Sequence, residues 1–225
     1  MNEVTLSPAL LANWYLTGVV TLIPMVNPFS TIPLLLSLTW GMSDKERKRQ
    51  ATRAAIFSAI MMETTLLVGS AILAFFNISV PALRIAGGLV VAFLGYRMLF
   101  PDHAAETGGG RAESKGSRQD YSLIPLAFPS LCGAGTMALL ISYSSTIGAG
   151  DIPLPVKFAA HGAGLLAIVT VALLAAWLLH SSTTVAKRLG ETGMEAITRI
   201  MGLLMVCIGV QFIANGVREF ILMPL

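Results

Sequence analysis

Two short clusters of hydroxyl, amide and glycine residues, each beginning at a proline pair, hold the side chains best suited to chemistry. The first is Pro24-Met-Val-Asn-Pro28, followed by Ser30 and Thr31. The second is Pro125-Leu-Ala-Phe-Pro129, followed by Ser130, Gly133, Gly135 and Thr136. Proline removes a backbone donor and disfavours helix at the residue before it, so each cluster is a place where a helix is expected to stop and restart. A restarting helix presents free N–H groups and partial positive charge to a carboxylate. Hydroxyls and freed carbonyls can take an ammonium group. The chemistry is that of holding a small zwitterion, with Asn27, Pro28, Ser30, Thr31, Pro129, Ser130, Gly133, Gly135 and Thr136 as the candidate binding residues. These positions carry no formal charge, which favours a small neutral solute over a strongly ionic one.

Glu63 is the one acid deep inside an apolar stretch, ten residues beyond Arg53. An acid at such depth is costly to bury, and two readings stand beside each other: coupling to Na⁺ or a proton, or a structural acid bonded to a neighbouring helix. Its counterpart in the second half of the chain is apolar. His161 and His180 lie near opposite ends of one apolar run and read as interfacial or core histidines before proton relays. Gln211 and Asn215, four apart, share a helix face and could bond across helices. Arg84 and Arg97 read as snorkelling cations, although Arg84 follows a short turn where solute could be met. Cys132 and Cys207 fall in apolar segments and read as small core thiols. They support neither a disulfide framework nor a metal site. No His-Glu-x-x-His pair, Gly-x-Ser-x-Gly elbow or phosphate loop occurs, so no catalytic residue and no cofactor is assigned.

The elements that must position these residues are membrane spans. Of 225 residues, 55% are hydrophobic and only 12% charged, about half the charge of an ordinary soluble domain. Charge is absent from Val4 to Ser43, from Tyr121 to Gly150, and from Phe158 to Ala186 apart from histidine. Each stretch exceeds the roughly 20 residues that cross a bilayer. The chain is therefore expected to be all-α and integral to the membrane, with six spans near 9–38, 52–76, 80–100, 122–147, 155–179 and 195–217. The first and fourth are overlong: 4–43 as one straight helix would measure about 60 Å. Each is expected to be one span broken at its prolines.

Twelve of the fifteen lysines and arginines border the stretches near 41–53, 101–120 and 187–188, leaving Arg84, Lys157 and Arg218 on the opposite side. The bias of cations toward the cytoplasm then places both termini in the periplasm of a multi-pass protein in a bacterial inner membrane. The net charge of +3 is accounted for by these loops, with no nucleic-acid partner implied. The N-terminus Met-Asn-Glu lacks a basic signal-peptide start, and the first span reads as an uncleaved insertion signal.

The chain also repeats itself. Residues 1–100 and 121–225 each read as a broken span, a plain span, and a span carrying two glycines seven apart, joined by a polar tether at 101–120 containing Gly108-Gly109-Gly110. The glycine pairs are Gly88/Gly95 and Gly202/Gly209, suited to close helix packing. Three spans per copy force the second to insert upside down, and inverted repeats with interrupted helices at matching places characterise secondary transporters.

The chain resembles the MarC family, also called the small neutral amino acid transporter family, over nearly its whole length. The resemblance is carried by Asn27-Pro28, by 79–88 (SVPALRIAGG) continuing to 95–100 (GYRMLF), by Pro125-Leu-Ala-Phe-Pro-Ser130 with Gly133-Ala-Gly-Thr136, and by 195–202 (EAITRIMG) ending in Gly209-Val-Gln-Phe212. It implies a transporter of small neutral amino acids such as glycine and alanine, coupled to a cation gradient. The family pattern has proline where this chain has Ala134, so that turn is less rigid here. Glu63 is not a family motif residue. Two further readings compete: a drug or metabolite exporter, against which the aromatic content of 8% weighs, and a non-transporting membrane scaffold. Oligomeric state is not encoded in any motif identified.

Overall fold

The computed structural model describes residues 7–100, 120–149 and 153–222. Nearly all of the tether expected at 101–120, with its glycine run and three of its cations, lies outside the described residues.

Seven α-helices and one wider-wound segment make up the described chain. They are α1 (Pro8–Val26), α2 (Pro28–Leu38), α3 (Asp44–Phe75), α4 (Val80–Leu99), the segment Ser122–Leu131, α5 (Ala134–Ala149), α6 (Leu154–His180) and α7 (Ser182–Leu222). Five stretches are long and apolar enough to cross a membrane: Pro8–Leu38, Asp44–Phe75, Val80–Leu99, Leu154–His180 and Thr192–Leu222. A sixth arises when Ser122–Leu131 and Ala134–Gly148, which meet at 63°, count as one.

Local chemistry explains most boundaries. Ser7 and Ser79 cap α1 and α4 through their side-chain oxygens, accepting from Leu10 N and Ala82 N, with a proline in the first turn of each helix. Helix α3 begins eight residues before the expected 52 because Ser43 and Glu46 form a reciprocal capping box. The cations Lys45 to Arg53 therefore ride on helical turns rather than in a loop. Helix α7 likewise starts before the expected 195. It is interrupted at Gly190, whose φ of 66° and ψ of −179° belong to a region essentially reserved for glycine.

Burial follows a membrane logic. Helix α3 buries Ala51, Ala55, Ser58, Met62, Leu66 and Gly69 along one stripe and turns Ile60 and Leu67 outward. Helix α6 buries Ala160, Ala163, Ala167, Val171 and Ala175, again small residues that allow close approach. The outward faces carry large apolar side chains such as Phe93, Leu173 and Leu203, as lipid contact requires. Gln211 and Asn215 are exposed and make no hydrogen bond among the described residues. The expected bond across helices does not form. Both cysteines are free; Cys132 is buried as expected, whereas Cys207 is exposed on α7 rather than in the core.

Helices α4 and α7 meet backbone to backbone. A Cβ on Gly88 would lie 2.6 Å from the carbonyl oxygen of Gly209, and one on Gly209 2.6 Å from that of Gly88. Gly95 and Gly202 repeat this reciprocity at 2.6 and 2.8 Å. The expected role of the glycine pairs in close packing holds, with each pair facing the other in antiparallel order.

Candidate functional site

The two proline clusters do not interrupt the chain in the same way. Of Pro24, Pro28 and Pro33, only Pro28 marks a helix start; Pro24 lies inside α1 and Pro33 inside α2. The interruption is one residue, Asn27, with φ 40° and ψ 64°. Asparagine tolerates this left-handed conformation, and Pro28 sits at the first helical position, where a donor would be unpaired anyway. The Asn27 side chain then accepts from Ser30 N at 3.4 Å and caps α2.

In the second cluster both prolines disturb the backbone. Ile124 and Phe128, each preceding a proline, are extended at φ/ψ of −126°/122° and −123°/127°. The chain between them winds wide, with Leu126 N donating to Tyr121 O and Cys132 N to Ala127 O, five residues apart. Helix α5 restarts at Ala134, where Met137 N reaches Gly133 O.

The clusters touch each other. Thr31 Oγ1 and Ser130 Oγ are 2.8 Å apart, and Thr136 Oγ1 donates to the carbonyl of Met25 at 3.3 Å. The second bond has a simple cause. Because α1 stops at Val26 and Pro28 has no N–H, carbonyls at the end of α1 lack helical partners, and buried carbonyls must be paired. Thr136 supplies one donor from the other cluster. Ser30 and Thr31 direct their hydroxyls to Asn27 O at 3.0 and 3.5 Å. Asn27, Thr31 and Thr136 are buried, Ser30 and Ser130 partly so.

Gly135 is required by closeness: a Cβ there would lie 2.7 Å from Val91 on α4 and 3.4 Å from the Met25 methyl. A Cβ on Gly133 would meet Pro129 O at 2.9 Å. Pro28 is buried beside Asn27, whereas Pro129 is exposed and contributes its backbone turn rather than a wall.

The N-termini of α2 and α5 both open at the junction, offering partial positive charge. The Asn27 amide nitrogen donates to the thioether of Met98 at 3.4 Å, a weak acceptor.

Glu63 is not among these contacts. It lies half-buried at the edge of the packed stripe of α3 and makes no hydrogen bond or ion pair with the described residues. Further along α3, Gly69 packs on Ile141 and Ser70 lies against Gly148, so α5 crosses α3 beyond Glu63. His161 Nδ1 pairs with Lys157 O within α6, whereas His180 Nε2 lies between Thr52 and Lys48 O and ties the far end of α6 to α3.

Met25, Val91 and Met98 also line the junction, and nothing in their residue types announces it. An apolar residue acting through its carbonyl or thioether carries no composition signal. Just outside the apolar part of the second cluster, Asp120 accepts from Ser122 N at 3.0 Å and from the Ser122 hydroxyl, and pairs with Arg53 at 2.5 Å. The Ser122 hydroxyl, helped by Arg53 and opposed by partial burial, holds this carboxyl below its usual 3.8.

Apolar outward faces, five or six crossing helices and a polar junction sealed between interrupted helices define a multi-pass integral membrane protein. The model of one family, described as MarC family integral membrane protein, matches residues 12–221. The inner membrane protein MarC of Citrobacter koseri is 41% identical over 211 residues, 91% of this chain and 94% of that protein. Its namesake in Salmonella typhimurium is 41% identical over 212 residues, again 91% and 94%. That of Escherichia coli O1:K1 / APEC is 40% identical over 210 residues, with the same coverage. No solved structure matches the chain significantly. The chain belongs to the MarC family.

Proposed function

We propose that this protein is a secondary transporter of the bacterial inner membrane that carries small neutral amino acids, driven by a Na⁺ or proton gradient. The observation that carries this reading is the hydrogen bond between Thr31 and Ser130, which brings the two interruptions to one place. Freed backbone groups are tolerated at membrane depth only where protein or a watery cavity satisfies them. Here hydroxyls, an amide and two helix N-termini converge without a formal charge, a set suited to a zwitterion's two ends.

The halves 1–100 and 121–225 are read as inverted copies, with 8–38 and 122–149 each one broken span. The glycine seam supports this reading. Gly88 corresponds to Gly202 and Gly95 to Gly209, and a twofold axis in the membrane plane would exchange the Gly88–Gly209 contact with the Gly202–Gly95 contact. The two contacts have matching distances. Such pairing suits alternating access, one copy rocking against the other around a fixed midplane site. The cation bias places both termini in the periplasm, and the inner-membrane names of the relatives agree with the location. The process is transport without catalysis, and the only accessory species is the coupling cation, with Glu63 as the residue to receive it.

The test is uptake of radiolabelled glycine and alanine by proteoliposomes of the purified protein, with and without imposed Na⁺ or proton gradients. Saturable, gradient-stimulated flux is expected. Absence of saturable flux with every small neutral amino acid overturns the reading.

A further inference from the structure

The polar residues that the junction does not use gather around Arg84 at the other end of α4 from Arg97. Arg84 Nε donates to Ser142 Oγ at 2.9 Å, and one terminal nitrogen donates to Thr146 Oγ1 at 2.6 Å. The other terminal nitrogen pairs with the carboxylate of Glu219. Arg84 belongs to α4, the two hydroxyls to α5 and Glu219 to α7, so one guanidinium ties three helices together. An arginine in the second turn of α4 could carry its head to the aqueous phase by extension of its stem. The head instead lies across α5, between the buried Ser142 and the exposed Thr146 and Glu219: the Arg84 side chain is 16% exposed, that of Glu219 45%. A guanidinium this little exposed is held by the three partners it has found.

The clamp has a defined relation to the junction. Along the contact of α4 with α5, Val91 meets Gly135, Gly87 meets Ala138 and Arg84 meets Ser142. Arg84 and Ser142 are therefore seven residues from the Val91–Gly135 contact on their respective helices, about 10 Å toward one membrane face. Between them the contact is made by small residues, with the Gly87 position 2.6 Å from the Ala138 methyl. Helix α5 is the element that restarts at the junction, and Arg84 binds its far half to α4 and α7.

We propose that the Arg84–Glu219 pair, with Ser142 and Thr146, is a latch closing the path to the junction from the face remote from the basic Lys45–Arg53 stretch. This inference rests on the reading of the junction as a solute site reached alternately from two sides. The latch opens when Glu219, half-exposed near the end of α7, exchanges the guanidinium for water, freeing α5 from α7. Arg84 and Glu219 are then gating residues, separate from the residues that hold solute.

The native thiol Cys132, fully buried between Leu131 and Gly133, reports on opening without transport. In a Cys207→Ser background, right-side-out and inverted vesicles are treated with a membrane-impermeant thiol reagent and labelling of Cys132 is timed. Glu219→Gln is expected to raise the rate from the face remote from Lys45–Arg53 by about tenfold, as a shifted closed–open equilibrium would, with no change from the other face. Arg84→Gln is expected to act alike, and Arg84→Glu combined with Glu219→Arg to restore slow labelling. If Arg84→Gln does not accumulate in membranes, Glu219→Gln, at the more exposed partner, carries the test. An unchanged rate in Glu219→Gln, or fast labelling in the reversed pair, overturns the latch. Labelling that changes in a protein showing no amino acid flux supports the latch and overturns the transport reading; flux with unchanged labelling does the reverse.

Discussion

The Thr31 hydroxyl on α2 lies 2.8 Å from the Ser130 hydroxyl, 99 residues later in the chain, so the two interrupted regions are joined side chain to side chain. Thr31 is fully buried, and Ser130 approaches it from the wide-wound segment that precedes α5. Replacing one partner leaves the other hydroxyl short of a bond in a mostly apolar setting, which costs about 1 kcal/mol or more. Thr31→Val and Ser130→Ala are each expected to lower the melting temperature in detergent and weaken apparent affinity for glycine. The double variant should fall short of the sum, as partners in one bond require. Additive losses would show that the two hydroxyls act independently.

Thr136 links the same regions through a backbone carbonyl. Thr136→Val keeps the shape and removes the donor to Met25 O, leaving that carbonyl unpaired. Reduced affinity in flux assays is expected; an unchanged Michaelis constant would exclude Thr136 from solute binding.

Glu63 has a different role in the proposal, so its variant should fail differently. Glu63→Gln removes the titrating oxygen at nearly constant volume. Gradient-driven accumulation is expected to be lost while exchange of labelled for unlabelled substrate persists. Accumulation that survives the substitution removes Glu63 from coupling.

The Asp120 carboxyl is held below its ordinary 3.8, first by the Ser122 hydroxyl and then by Arg53. A carboxyl depressed in the folded state stabilises the fold above its unfolded value, and that contribution is lost as pH falls through the lower folded value. The effect is small because both Asp120 and Arg53 are nearly half-exposed. Ser122→Ala should flatten the dependence of melting temperature on pH below about 4, with little change near neutrality. An unaltered acid limb would mean that the Ser122 hydroxyl does not hold the Asp120 carboxyl down.

The glycines separate into those that touch backbone and those that do not. Gly209→Ala would set a methyl 2.6 Å from Ala92 N and Gly88 O, a clash expected to cost about 1–3 kcal/mol. Gly162 has nothing within 4 Å of its added carbon, and Gly162→Ala is expected to be neutral or slightly stabilising. Melting temperatures of the two purified variants make the comparison.

The long apolar stretches announced the helices, and the proline pairs announced where two of them change course. Both signals are local and strong. The sequence was less informative about which proline interrupts. Pro24 and Pro33 are absorbed inside helices, whereas Asn27 separates α1 from α2 because its short polar side chain tolerates a left-handed backbone and caps the helix that follows. The early start of α3 was concealed by its charge, since the Lys45–Arg53 run reads as a loop until Ser43 and Glu46 are seen to cap each other. At the junction, hydroxyl and amide residues stood out, but the atoms they bond are a methionine carbonyl and a methionine sulfur. The partners of Arg84 were invisible for a related reason: they come from two other helices, α5 and α7, far along the chain.

The glycine seam also limits how the sequence can vary in length. Gly88 faces Gly209 and Gly95 faces Gly202, so each step forward on α4 is matched by one step back on α7. One residue inserted between Gly202 and Gly209 would rotate everything beyond it by about 100°, swinging one glycine off the contact and a bulky neighbour onto it. The two helices therefore behave like the meshed teeth of a rack, tolerant of exchanged side chains on their outer faces but intolerant of a miscount.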